Sequence, residues 1–217
     1  MSPHFAATVD PIFLRVLALL ESVEKNEVTS PESEQQALER LFRESEAQAS
    51  EGSGWHLAKY GLAAWIDDLL ISASWSGRDW WESNSLEFAF FNSRDRATQF
   101  FVQAKEATAL PRRDALEVFY LCVVLGFQGL YQLSESQIIA GQLDLPSSIE
   151  AWTKNSASAI QLRQGRPRIH EAPRAPTGAP PLESRYRAVG SAIVCVILAM
   201  LSATLMWLSS VLAAGAT

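Results

Sequence analysis

Apolar positions recur with helical spacing along residues 1–163, and no stretch alternates apolar with polar between two turn signals. The pattern predicts an all-α fold. Phe13, Val16, Leu17 and Leu20 make the stripe of a first helix. Ser30-Pro31 reads as an N-cap followed by Pro at the first helical position, opening a second helix whose core side includes Leu38, Leu41 and Phe42. Gly52 and Gly54 punctuate the chain before a third helix from about Trp55 to Ala73. A Trp-rich connection (Trp75, Trp80, Trp81) leads to a short helix around Leu86 to Phe91, and another runs from about Arg94 to Thr108. Pro111 marks the start of the next, whose apolar run continues through Leu125 until Gly126 and Gly129 end it. Two further helices follow, about Ser134 to Leu143 and about Ser147 to Leu162, separated by Leu145-Pro146.

Beyond residue 163 the pattern changes twice. Residues 164–188 are rich in Pro and Arg, including Pro167, Pro173, Pro176, Pro180 and Pro181, and read as an extended, semi-rigid linker. Residues 189–214 then hold no charge at all. At about 1.5 Å rise per residue such a run reaches roughly 39 Å, against about 30 Å of hydrocarbon, so it is expected to cross a membrane as a tilted helix. Arg185 and Arg187 precede it and only residues 215–217 follow, which predicts a cytoplasmic head of residues 1–163 and a short periplasmic tail. The early apolar run PIFLRVLALL is interrupted by Arg15, has no basic n-region or cleavage site, and does not read as a secretory signal.

Composition narrows the class. The chain has 217 residues, 48% of them hydrophobic, with a formal net charge of −6. Six Arg against two Glu lie after Ile160, so the head is the acidic part and the linker the basic one. A nucleic-acid-binding globule would place its cationic excess on the folded part, so no nucleic-acid partner is expected. The two Cys, Cys122 and Cys195, sit in apolar runs and read as small buried residues.

Catalytic signatures are missing. His4, His56 and His170 make no metal-ligand spacing, and no phosphate loop, nucleophile elbow or zinc-protease helix occurs. No cofactor, metal or small-molecule substrate is expected. The most informative polar feature is Asp67-Asp68 within GLAAWIDDLLISASW. With the apolar face centred on Ile66, Asp67 falls on its flank and Asp68 points away, so adjacent carboxylates diverge and cannot readily share a proton. Two readings stand for the pair: a solvated face with Asp67 bonded to a nearby loop, or an acidic docking spot for a basic partner. A hydrolase using Asp67 or Asp68 with His56 is the enzymatic alternative, but about 16 Å of helix separates His56 from Asp67. Seven Trp is a high count for the length. Trp65, Trp75, Trp80 and Trp81 cluster here, as core or as the lining of a groove.

The succession KYGLAAWIDDLLISASW, LEFAFFNSRDRATQFF and DALEVFYLCVVLGFQGLYQL, then a Pro-rich tether and one terminal apolar run, resembles the DotU/TssL (IcmH-like) family of inner-membrane proteins of type VI and type IVb secretion systems. The resemblance implies two packed three-helix bundles forming a hook-like cytoplasmic domain, and one span that helps the protein to dimerise. It implies a structural adaptor, not an enzyme, in the bacterial inner membrane. The implied partners are an IcmF/TssM-like protein, a TssK-like subunit and other baseplate components, and a second copy of the chain. Type VI use is the expected one, with a type IVb role as the alternative. The family's acidic pair falls on Asp67 and Asp68, and its aromatic glycine turn on Gly126, Phe127, Gly129 and Tyr131. Asp67, Asp68, Trp75 and Gln128 are the expected partner-binding residues. The chain departs from the family at Gln128, Gln132 and Arg96-Ala97, while the apolar framework of Phe90, Phe91, Phe100, Phe101, Phe119 and Tyr120 is intact. From the residues themselves, Gly126 and Gly129 suit a helix end and a tight turn, and Ala at either is expected to unfold it.

Overall fold

The computed structural model describes residues 1–27, 30–50, 52–163 and Met200. The linker 164–188 and the apolar run 189–214, Met200 apart, lie outside the described residues. Residues Met1–Arg168 form one compact unit and Ile169–Thr217 a second. The described part of the first unit is all helical: α1 Pro3–Glu24, α2 Pro31–Gln48, α3 Trp55–Ser72, α4 Arg78–Ser83, α5 Leu86–Phe91, α6 Arg96–Ala109, α7 Asp114–Val124, a 3-10 turn Gly129–Gln132, α8 Ser136–Gln142 and α9 Ile149–Arg163.

Local signals set several of these boundaries. Ser30 caps α2 by accepting from the Ser33 N–H at 3.2 Å, with Pro31 just inside the helix. Ser2 and Pro3 repeat the device at α1, which begins ten residues before Phe13, the first residue of the expected stripe. Pro11 lies inside α1, where it removes one N–H that would bond Ala7; both residues lie on the exposed side, where water can serve the freed carbonyl.

The buried face of α1 runs Phe5, Val9, Ile12, Phe13, Val16, Leu19 and Val23. Leu17, expected in the stripe, is 44% exposed, and Leu20 is half-buried. One residue beyond Val16 the helix has turned about 100°, enough to carry Leu17 off the core side.

α3 is the central element. It packs on α6 and α7 and also on α4 and α5. The Phe13 ring meets Trp65 with centroids 5.1 Å apart, and Phe42 meets Trp55 at 6.4 Å, so α1 and α2 close over α3 as one three-helix group. α6, α7 and α9 make a second group around Phe100, Phe101, Phe119 and Trp152. Gly61 lets α7 approach, since a Cβ there would stand 2.8 Å from the Phe119 ring. Among the described residues one stretch, Asp114–Gln132, is apolar and long enough to cross a membrane, but it contains α7, whose Ala115, Leu116, Val118, Phe119 and Cys122 are buried in this head. Burial there raises the Cys122 thiol well above its ordinary pKa, in line with the inert role expected of it.

Candidate partner-docking site

Asp67 and Asp68 do not form an exposed acidic spot. Asp67 is fully buried, because α3 has neighbours on nearly every side and the flank assigned to it is covered by α4 and α5. Its Oδ1 accepts from the Trp81 indole N–H at 2.9 Å and from the Leu86 N–H at 2.9 Å, and its Oδ2 accepts from the Glu87 N–H at 2.8 Å. Leu86 and Glu87 are the first residues of α5, whose N–H groups have no partner within the helix. Ser85 accepts from the next free donor, Phe88 N–H, at 3.3 Å. A side chain from α3 thus completes the cap of α5, and the carboxylate sits at the positive end of a helix dipole.

Burial pushes the Asp67 carboxyl up to about 6, against the opposing pull of the donated Glu87 and Leu86 N–H bonds, the Trp81 indole and the Arg96 charge. The expected direct contact of Asp67 with a partner is therefore corrected: its charge is enclosed and its bonds are spent on the fold. The alternative of a solvated face with Asp67 bonded to a loop is corrected too: its partners are residues of α4 and α5, and no water-facing side is left to it.

Glu87 and Tyr60 extend this clasp, and neither stood out in the sequence. Glu87 is fully buried, and its Oε1 accepts from the Tyr60 hydroxyl at 2.7 Å, the Ser93 hydroxyl at 2.8 Å and the Asp95 N–H at 3.0 Å. Burial, with the Glu87 bond and charge adding to it, raises the Tyr60 hydroxyl far above its ordinary value. A Glu in the first turn of a helix normally reads as a solvated charge complementing the dipole. The available signal was Tyr60, seven residues before Asp67 and therefore on the same side of α3.

Asp68 turns the other way, but toward protein rather than water. Its side chain is 13% exposed, with Oδ1 3.8 Å from Arg96 Nε, and it accepts from the Gln128 backbone N–H. Burial raises its pKa, opposed by Arg96 and by that N–H. Arg96 and Gln128, two of the positions where the chain departs from the family pattern, are thus the groups that meet Asp68.

The turn that follows α7 is closed by the backbone. Gly126 N–H bonds the Val123 carbonyl at 3.1 Å and Phe127 N–H bonds the Cys122 carbonyl at 3.0 Å, the paired bonds of a Schellman motif. Gly126 has φ +108 and Gly129 φ +50. The two differ in surroundings: a Cβ on Gly126 would find Leu69 Cδ2 at 3.5 Å, whereas on Gly129 it would meet the Phe127 ring at 2.7 Å and the Ala97 carbonyl oxygen at 2.9 Å. Phe127 is buried and stacks on Phe100 with centroids 3.8 Å apart. Tyr131 donates to the Pro146 carbonyl at 2.7 Å, and burial pushes its hydroxyl up to about 12.

What remains open is the outer side of this turn. Gln128 and Gly126 are exposed, and beside them Val124 and Leu125 are 57% and 36% exposed. A groove of about 610 Å³ runs from the turn to α9, lined by Val123, Val124, Gly126, Gln128, Ile149 and Lys154 among others. Trp75 is half-buried, with its indole N–H bonded to the Leu70 carbonyl at 2.7 Å and its ring against Trp81. His56 is exposed at the start of α3, eleven residues from the enclosed Asp67, so the two do not form a catalytic pair.

The helical head thus spends its buried carboxylates on bracing its own elements and leaves open a glycine turn flanked by apolar side chains. No curated protein matches the chain. The chain belongs to the DotU family: the family model for type VI secretion system protein DotU matches residues 4–212. The fold is similar to that of a solved structure, the cytoplasmic domain of TssL from Acinetobacter baumannii, with a TM-score of 0.56 and 21% identity over 73% of this chain and 98% of that one. The family match carries the type VI reading of the resemblance and not the type IVb one, and makes the protein a component of a type VI secretion system.

Proposed function

We propose that the protein is a structural adaptor of the type VI membrane complex, held in the inner membrane by residues 189–214 with its helical head in the cytoplasm. The family match extends through residue 212 and so takes in most of that apolar run. The head docks baseplate components, a TssK-like subunit among them, and the anchored protein pairs with an IcmF/TssM-like protein and with a second copy of itself. The docking surface is the outer side of the 124–128 turn with Asp68, and Trp75 contributes its exposed edge. Asp67 serves this surface indirectly, by fixing α4 and α5 on α3.

The observation that carries this reading is the exposure of Val124 and Leu125 beside a turn closed by the Gly126 and Phe127 backbone bonds and held on α3 by Asp68 at the Gln128 N–H. Apolar side chains held rigidly outward at a groove are what a protein partner buries. The test is a Val124→Glu, Leu125→Glu double substitution in the full chain. Both positions are exposed, so helix content stays as in the wild type, while co-purification of the TssK-like subunit falls by tenfold or more, the consequence of about 1.4 kcal/mol or more lost at the interface. Undiminished co-purification would remove this surface from the reading.

A further inference from the structure

A second cavity, of about 330 Å³, lies between α6, α7, α9 and the loop joining α8 to α9, with Ala104, Leu116, Leu145, Trp152, Ser156 and Ala159 on its walls. Trp152 packs edge-on against Phe101, with centroids 5.3 Å apart and planes at 82°, so this wall is continuous with the core. The loop wall is pinned in place. Lys105 Nζ bonds Asp144 Oδ2 at 2.9 Å and reaches the Leu143 and Asp144 carbonyls at 3.4 Å, while Tyr131 holds the Pro146 carbonyl.

Of the other polar residues on the lining, Lys105 and Asp144 bond each other, Thr108 donates to the Lys105 carbonyl and Asn155 is exposed, which leaves Ser156. Ser156 is only 6% exposed, yet its hydroxyl has no hydrogen-bond partner among the described residues. It is not one of the unpartnered side-chain atoms sealed from solvent, which are those of Ser53, Trp55, Glu87, Arg96 and Arg113. A buried residue whose unpaired hydroxyl still meets open space, and which lines this cavity, opens into it.

We infer that this cavity is a binding site for a small amphiphile: one ring or a short aliphatic chain carrying a single hydroxyl or carbonyl that pairs with Ser156. Size selects the class. The volume is at the lower end of ligand pockets, about 300–1,000 Å³, and a helix about 10 Å across does not fit. The chemistry of the wall selects the rest, since Trp152, Leu116 and Leu145 take an apolar body and Ser156 gives it one orientation. The site uses a different set of α9 residues from the groove beside the glycine turn, and stands apart from the docking reading.

The experiment uses the full chain in nanodiscs, with benzyl alcohol and toluene as paired probes and the Trp152 indole N–H resonance as the readout. Benzyl alcohol shifts this resonance saturably. Ser156→Ala weakens benzyl alcohol about fivefold, as expected for one neutral hydrogen bond, and leaves toluene unchanged. Ala159→Phe fills the cavity and abolishes both responses; Asn155→Phe, at the exposed rim, takes its place should that variant not fold. The inference is overturned if neither probe gives a saturable shift, if the shift survives the filling substitution, or if Ser156→Ala affects the two probes alike.

Discussion

Asp67 and Asp68 are neighbours on one helix, yet they serve regions built on different physics. The clasp over α4 and α5 is polar and enclosed: one carboxylate of α3 accepts three donors, and a second carboxylate on α5 accepts three more. The turn after α7 is closed by its own backbone and by aromatic stacking, and Asp68 adds a single bond to it, at the Gln128 N–H. In the first region the side chains carry the structure and nothing is left for a partner. In the second the backbone carries it, and the side chains of Val124, Leu125 and Gln128 are free to be read.

Breaking the clasp has the largest effect. Asp67→Ala strands three buried donors, each costing about 1–3 kcal/mol, offset in part because a charge is no longer buried. Chemical denaturation at pH 7 is expected to show a loss of roughly 3 kcal/mol or more, with α4 and α5 losing amide protection first. Next comes Gly129→Ala, which combines a left-handed backbone with overlap against a carbonyl oxygen and is expected to cost about 3 kcal/mol. Gly126→Ala meets no clash and bears only the backbone penalty, about 1–2 kcal/mol. The two glycines were expected to behave alike; the denaturation midpoints of the two variants separate them.

A pH series sharpens the contrast further. The folded-state pKa of Asp67 is raised to about 6 from an ordinary value of 3.8, so the native state takes up this proton before the unfolded chain does. The resulting stabilisation is fully present below the unfolded value and is lost as pH rises through about 6. Relative to Asp67→Asn, which cannot titrate, the wild type should gain stability as pH falls from about 6 to about 4 and show no further trend above 6. Denaturation of both proteins across this range checks the sign. The smallest effect belongs to Asp68→Ala: Arg96 is 3.8 Å away and partly solvated, and the one donor released, the Gln128 N–H, belongs to an exposed residue that water can reach, so the expected loss is about 1 kcal/mol. A large loss there would erase the distinction between the two carboxylates.

Much of this architecture was legible wherever a boundary had a chemical marker. Ser30-Pro31 opens α2 as read, Gly54 precedes α3, and the LEFAFF segment is α5 to the residue. α4 was missed because RDWWES is one short turn in a Trp-rich stretch that reads equally as a loop. The carboxylates were misplaced for a deeper reason. A helical wheel assumes one wet side, and α3, packed by α4 and α5 as well as by α6 and α7, has almost none. Asp67 was read as flanking and Asp68 as solvated, when each faces a different packed neighbour. Likewise Glu87 and Tyr60 meet only through tertiary structure, 27 residues apart, and no local spacing announces such a pair.

The account stands on the 124–128 turn as the surface read by the rest of the secretion machinery. Site-specific photo-crosslinking in intact cells, with the reactive residue at 128 or at the exposed α2 position 44, tests this most directly. The account predicts that position 128 captures another type VI subunit and position 44 does not. Capture from position 44 with none from 128 would contradict it.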